Sequence, residues 1–308
     1  MSAILSWGLD VVRDAQGFAS PALTAVMKGF SLLGTEYCFL AILPLVYWCV
    51  DRRRGLRLCA LIFLSTAINL RLKMLFAQPR PYDFEPSVGM AKEQSYGLPS
   101  NHAMTSALLG GSLAPVFRPP WGLAFALALP FCVGISRIYL GVHFPTDVVA
   151  GWALGAAFVG LERIFGERIE RSLAELRESL AFAVVAAVAL GMNVLTLNET
   201  TLSGAFFGFA GAAIYARKSL SFSAESGSLA KKALRYLFGM ATVAILYALP
   251  KLLLAEVEAS GPPLVKFVRY AVVGAWAAAG APWLFLKLGL AEAEPHSASE
   301  NEGSVISK

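Results

Sequence analysis

Three short stretches carry side chains whose types and spacing suit chemistry on a phosphate. Lys73 is followed seven residues later by Arg80, just ahead of Pro81. Ser100, Asn101 and His102 stand together after Pro99, and Ser136 and Arg137 precede the turn GVHFP, in which His143 lies four residues before Asp147. Three fixed cations suit a dianionic tetrahedral group, because a guanidinium can bind phosphate oxygens through two parallel hydrogen bonds. Two imidazoles at one phosphate imply a division of labour in which one attacks phosphorus and the other manages protons. The spacing of His143 and Asp147 puts a ring and a carboxylate on neighbouring turns, so that the carboxylate can hold one ring nitrogen and leave the other with its lone pair free. Nothing in the set calls for a metal or another cofactor. Asp83, Glu85 and the histidines show no familiar ligand spacing, and the cations would repel a metal ion that did not arrive with substrate.

The elements that must position these groups are membrane helices. The chain has 308 residues, is 56% hydrophobic and only 15% charged, and its mean hydropathy of +0.60 is too high for an ordinary soluble domain. Several nearly uncharged runs approach the roughly 20 residues needed to cross the hydrocarbon layer. The sequence predicts an all-α, polytopic bundle with helices at about 35–50, 56–78, 101–117, 121–140, 145–165, 180–197, 201–216, 232–254 and 264–288. Residues 1–34 read as short interfacial helices with Trp7 and Phe18 as anchors. Residues 35–165 form the core that bears the chemistry, 166–179 a charged amphipathic connector, 180–289 further spanning helices in which Gly204, Gly208 and Gly211 suggest close packing, and 290–308 a disordered tail. Insertion is expected to be directed by the first spanning helix and not by a signal peptide.

The helix from Cys59 onward is expected to run to about Gln78, which would point Lys73 and Arg80 at one site. Ser100 is placed to cap the helix that His102 begins, where free backbone N–H groups attract an anion. Taken alone, the Lys73–Arg80 pair reads equally well as two cations reaching for water at a helix end. The four cysteines have no CxxC spacing and read as small buried side chains. The net charge of +5 is spread among loops; it speaks for orientation in the membrane and against a nucleic-acid partner. With helices alternating sides, the arginine-rich segments 51–57, 117–120, 167–179 and 216–235 fall on one face, expected to be cytoplasmic. The loop 79–100 and the turn 141–145 fall on the other, so the site is expected to open toward a periplasm, lumen or exterior.

The three stretches, in this order and with these internal spacings, resemble the signature motifs of the type 2 phosphatidic acid phosphatase superfamily. The resemblance covers roughly residues 35–165. It implies a phosphoric monoester hydrolase of the membrane, with a six-helix core and a lipid phosphate entering from the bilayer. His143 would be the nucleophile that forms a phosphohistidine, Asp147 its orienting group and His102 the acid that protonates the departing alkoxide and later activates water. Lys73, Arg80, Ser100, Asn101 and Arg137 would hold the phosphoryl oxygens. The further spans after residue 180 are similar to the sphingosine-1-phosphate phosphatase branch. The family usually has glycine where this chain has Asn101; asparagine tolerates left-handed backbone and keeps the amide donor, so activity is expected to survive. Two alternatives share the pocket: a lipid phosphotransferase using the same intermediate, and a non-enzymatic transporter or scaffold.

Overall fold

The structure, a computed structural model, describes residues 2–197, 199–220, 222–253 and 262–293. It is helical, and among the described residues the nearest thing to a strand is an isolated bridge between Phe222 and Ala293. Among the described residues thirteen α-helices follow one another: α1 Ala3–Gln16, α2 Pro21–Leu32, α3 Glu36–Cys49, α4 Arg52–Phe76, α5 Pro81–Phe84, α6 Asn101–Leu113, α7 Trp121–Tyr139, α8 Pro145–Glu175, α9 Glu178–Leu195, α10 Thr200–Ser219, α11 Leu229–Leu253, α12 Pro263–Ala275 and α13 Ala281–Lys287. A helix stands at each of the nine positions expected of a span. By length and apolar composition, however, six described helices qualify as membrane spans, or seven if α2 and α3, bent by 50° at their junction, cross together. At 1.5 Å per residue α6 is about 20 Å long, short of the roughly 30 Å hydrocarbon layer. Pro115 shortens it, and the helix goes on only as a single 3-10 turn, Ala114–Val116. The helix α10 is long enough, but Gly, Ser and Thr dilute its apolar content.

Two boundaries differ from the sequence reading. The helix α4 stops at Phe76, not near Gln78, because Ala77 turns into the left-handed region at φ 45°. Residues 166–175, expected within a separate connector, are the last turns of the 31-residue α8. Nothing in that stretch stops a helix, and one of its charges is tied to a neighbouring helix: Arg57 of α4 donates to Glu170 at 2.9 Å and also lies 3.4 Å from Glu162, earlier on α8. Lys73 stands sixteen residues beyond Arg57 on α4, about 24 Å along the axis. The chemistry and this ion cluster therefore occupy opposite ends of the bundle. The tail expected at 290–308 lies outside the described residues from 294 onward.

The helix α6 is the central post of the half that carries the candidate site residues, wrapped by α4, α7 and α8. The α6–α8 approach is backbone-close: a Cβ on Gly151 would come within 2.5 Å of the Ser100 carbonyl and one on Gly155 within 2.4 Å of that of Met104. This contact brings the start of α6 alongside the start of α8. The N-terminal helix α1 lies across the same end with Leu9 and Val12 buried, while Ile4 and Trp7 remain exposed for the bilayer interface.

In the C-terminal half α10 lies against α12, where Gly204 faces the backbone of Phe267 and Gly208 that of Ala271. Between α12 and α13 the helix widens into a π turn at Trp276–Gly280, which frees carbonyls from the regular ladder. The side chains of α3 take them up: Tyr47 donates to Ala278 at 2.9 Å and Trp48 to Ala277 at 2.9 Å.

Candidate active site

The site gathers the ends of five elements. Lys73 sits in the last turn of α4; Arg80 immediately precedes α5; Ser100, Asn101 and His102 begin α6; Arg137 is in the last turn of α7. His143 lies in the turn that joins α7 to α8, and Asp147 in the first turn of α8. That turn is built by Gly141, whose φ of +69° is one L side chains rarely adopt and whose Cβ position would lie 1.9 Å from the Val88 carbonyl. The turn is thereby pressed onto the 85–99 loop.

His143 is the hinge of the geometry. Its Nδ1 lies 3.2 Å from Asp147 Oδ2, and its Nε2 lies 3.2 Å from Arg80 Nη1. A guanidinium only donates and a carboxylate only accepts, so the consistent tautomer carries its proton on Nδ1 and turns the Nε2 lone pair toward Arg80. The ring is 1% exposed. Burial, followed by the charges of Arg80, Arg137 and Lys73, holds its pKa well below the usual histidine value, which keeps Nε2 unprotonated at neutral pH. Asp147 is fixed in turn: Oδ2 also accepts from the Phe144 amide at 3.0 Å, and Oδ1 accepts from Gln78 Nε2 at 2.6 Å.

The cations converge although α4 ends early. Lys73 donates to the carbonyls of Tyr96 and Gly97, and Arg80 Nη2 donates to the same Tyr96 carbonyl at 3.0 Å. Arg80 also reaches the carbonyls of Ser95 and Val142, each at 2.6 Å. Arg137 arrives from α7, donating to the Ser31 hydroxyl and pairing with Glu93. Ser100 caps α6 by accepting from the Ala103 amide at 3.4 Å, and its own amide donates to the Asp147 carbonyl at 3.0 Å. His102 packs beside Gly34, where any Cβ would come within 2.9 Å of its Cβ and Cδ2. Asn101 does not use the left-handed backbone that would favour glycine: among the described residues other than glycine, only Ala77 and Leu197 have positive φ. Its Oδ1 is buried and makes no hydrogen bond among the described residues.

Long stretches of the chain are similar to known proteins. Residues 54–171 match the PAP2 superfamily, and residues 200–293 match the PAP2 superfamily phosphatase, transmembrane extension. Phosphatidylglycerophosphatase B of Bacillus subtilis is 31% identical over 183 residues, a match covering 55% of this chain and 88% of that protein. The chain belongs to the PAP2 superfamily. Sphingosine-1-phosphate phosphatase 2 of Mus musculus is 30% identical over 137 residues, covering 42% of this chain and 38% of that protein. The crystal structure of a transmembrane PAP2-type phosphatidylglycerolphosphate phosphatase from B. subtilis is 28% identical, with a TM-score of 0.47 over 55% of this chain and 89% of that one.

Within this PAP2 site, several contributors carry no signal in the sequence motifs. Gln78, which holds Asp147, is the one polar residue between Lys73 and Arg80, but nothing in its spacing marks it as a partner of a carboxylate 69 positions away. Glu93, Ser95 and Tyr96 come from the long loop, and Ser31 from α2; only closure of the fold shows that they face the cations.

Proposed function

We propose that this protein hydrolyses the phosphate monoester, or the terminal phosphate of a diphosphate, of a membrane lipid through a phosphohistidine on His143. The observation that carries the reading is the His143 ring suspended between Asp147 at Nδ1 and Arg80 at Nε2. As the phosphoryl group enters, Arg80 exchanges its contact with Nε2 for a phosphoryl oxygen, and the freed lone pair attacks phosphorus. A P–N bond forms while the P–O bond to the lipid breaks, and Asp147 stabilises the positive charge that develops on the ring. Lys73, Arg80, Arg137 and the amides at the start of α6 hold the three equatorial oxygens, on which charge builds in the transition state. His102 protonates the departing alkoxide and then takes a proton from the water that breaks the P–N bond, returning His143 to its starting state and releasing inorganic phosphate. The named activities of the B. subtilis and mouse relatives, both lipid phosphatases, support a lipid substrate. Met74, Leu75 and Phe76, exposed on α4 beside Lys73, give its chain an apolar approach from the bilayer.

Purified protein in detergent should release phosphate from members of a panel of lipid phosphates, and continue to do so in excess EDTA. The His143→Ala variant should release none. Transfer of the phosphoryl group to an added alcohol without free phosphate would turn the reading into a phosphotransferase, and absence of turnover on every member would remove the enzymatic reading.

The position of the arginine-rich segment 51–57 at the end of the bundle opposite the site supports a non-cytoplasmic active site. In a cysteine-free background, an impermeant thiol reagent applied to intact cells should label Ser87→Cys and not Arg53→Cys. The reverse pattern would put the site in the cytosol.

A further inference from the structure

The anion site is answered from within the chain. Residues 93–97 present one carboxylate and three carbonyls to Arg137, Arg80 and Lys73. The carbonyl contacts can persist while a ligand binds on another side of each cation, but the Glu93–Arg137 pair is of a different kind, because a carboxylate is an anion that competes directly with phosphate for a guanidinium fork. Arg137 is 3% exposed and Glu93 30%, so the arginine is fixed and the carboxylate has room to leave. The Glu93 backbone is held in place, its amide donating to the Tyr82 hydroxyl at 3.2 Å and its carbonyl accepting from that hydroxyl at 2.9 Å. A swing of the side chain about this fixed backbone is then enough to uncover Arg137. The space for it is at hand: a cavity of about 510 Å³ opens beside the site, bounded by Leu70, Met74, Arg80, Tyr82, Asp83 and Glu93.

We propose that Glu93 is a specificity-determining residue, a displaceable carboxylate on Arg137 that yields to a doubly charged phosphate monoester and holds off singly charged phosphodiester lipids. The proposal rests on the lipid phosphatase reading of the same site and adds the basis of its selectivity. A membrane enzyme with three cations at the headgroup level faces a large excess of phospholipids, whose phosphodiester carries one negative charge. A terminal phosphate carries up to about two at neutral pH. Exchanging Glu93 for a diester replaces one negative charge by another and gains nothing in Coulomb energy, whereas exchanging it for a monoester adds a charge against Lys73, Arg80 and Arg137. Discrimination thus comes from competition with an internal anion, and no steric wall against the second ester group is needed.

The test uses the full-length protein in detergent micelles, a short-chain lipid phosphate monoester as substrate and phosphatidylglycerol as competitor. For Glu93→Gln the KM should fall at least threefold, and phosphatidylglycerol should change from a weak inhibitor to one at least tenfold stronger, while kcat stays within about twofold. Glu93→Asp keeps the charge and should keep the wild-type resistance to phosphatidylglycerol. The proposal is overturned if the KM of Glu93→Gln is unchanged or rises, which would make Glu93 a brace that holds Arg137 for substrate, or if Glu93→Asp and Glu93→Gln behave alike. Binding of inorganic phosphate by calorimetry separates this proposal from the functional reading. Tighter binding to Glu93→Gln than to wild type, in a protein that hydrolyses none of the lipids, would uphold the displacement and reject the hydrolase; equal binding would reject the displacement.

Discussion

In the half built by α4, α6, α7 and α8, six residues with polar side chains, Lys73, Arg80, Ser100, Arg137, His143 and Asp147, are no more than 4% exposed and crowd one end of the bundle. In the half built from α9 onward, helices meet through small residues and apolar rings, as where a Cβ on Gly208 would lie 1.9 Å from the Ala271 carbonyl. Arg235, fully buried in α11, is absorbed by the carbonyls of Trp48, Ala224, Ser226 and Leu290 at 2.6–3.0 Å. The contrast lies in what the buried charge faces. Arg235 is bound by neutral carbonyls, whereas Arg137 faces a carboxylate and Arg80 a ring nitrogen, the two partners that a phosphate would replace in the proposed reaction. Burial of charge in a membrane protein is thus not by itself a mark of function; exchangeability of the partner is.

Substitutions in the two halves should fail in different ways. The largest effect is expected from His143→Ala: phosphate release should drop by about 10⁴-fold or more, with loss of acid-labile phosphoenzyme and little change in melting temperature. A residual rate within tenfold of wild type would remove the nucleophile from the catalytic half. Gly208→Leu should do the reverse, destabilising the fold by about 1–3 kcal/mol or more through overpacking against α12, seen as earlier thermal exposure of the buried thiols Cys49 and Cys59 to a thiol-reactive dye; kcat at low temperature should be spared in whatever remains folded. Gln78→Leu removes a hydrogen bond to a carboxylate, worth about 1.5–3 kcal/mol, so kcat should fall by roughly 10–100-fold with KM nearly constant. An unchanged kcat would show that the Phe144 amide alone suffices to orient Asp147.

A subtler expectation concerns protonation. With only three histidines in the chain, ¹⁵N spectra are tractable, and His143 should remain neutral with its proton on Nδ1 at pH 6, because its folded pKa is depressed and the charged form appears only at still lower pH. An imidazolium signal for His143 at that pH would contradict the tautomer assigned from Asp147 and Arg80. The smallest effect is expected at Asn101→Gly, with kcat/KM within about threefold of wild type, since the backbone there is ordinary helix start.

The candidate site was legible in the sequence because each group named for it belongs to a short local motif: cap and helix start for Ser100 and His102, a four-residue spacing for His143 and Asp147. The partners were not, because Gln78, Glu93 and Ser31 reach the site only through contacts of 44 to 106 positions in sequence, and no local periodicity encodes these. The early end of α4 escaped because Ala77 takes a left-handed conformation without glycine or asparagine to announce it. The length of α8 escaped because a charged, helix-compatible stretch looks the same whether it lies on a membrane or continues into an ion pair with Arg57. That nine helical runs reduce to six or seven spans needed the helix lengths, which the break at Pro115 shortens in α6, and a stricter weighing of the Gly, Ser and Thr content of α10.

The latch between α3 and the π turn bears on how the polypeptide is made. The donors on Tyr47 and Trp48 find acceptors 231 and 229 positions later, so for most of synthesis this hydroxyl and indole wait in the bilayer without them, a state that unpaired polar groups in hydrocarbon make unfavourable. The π turn therefore fastens α3 only after 229 to 231 further residues have been made, and a nascent chain cut short before residue 276 would carry all the candidate site residues yet leave Tyr47 and Trp48 without these acceptors.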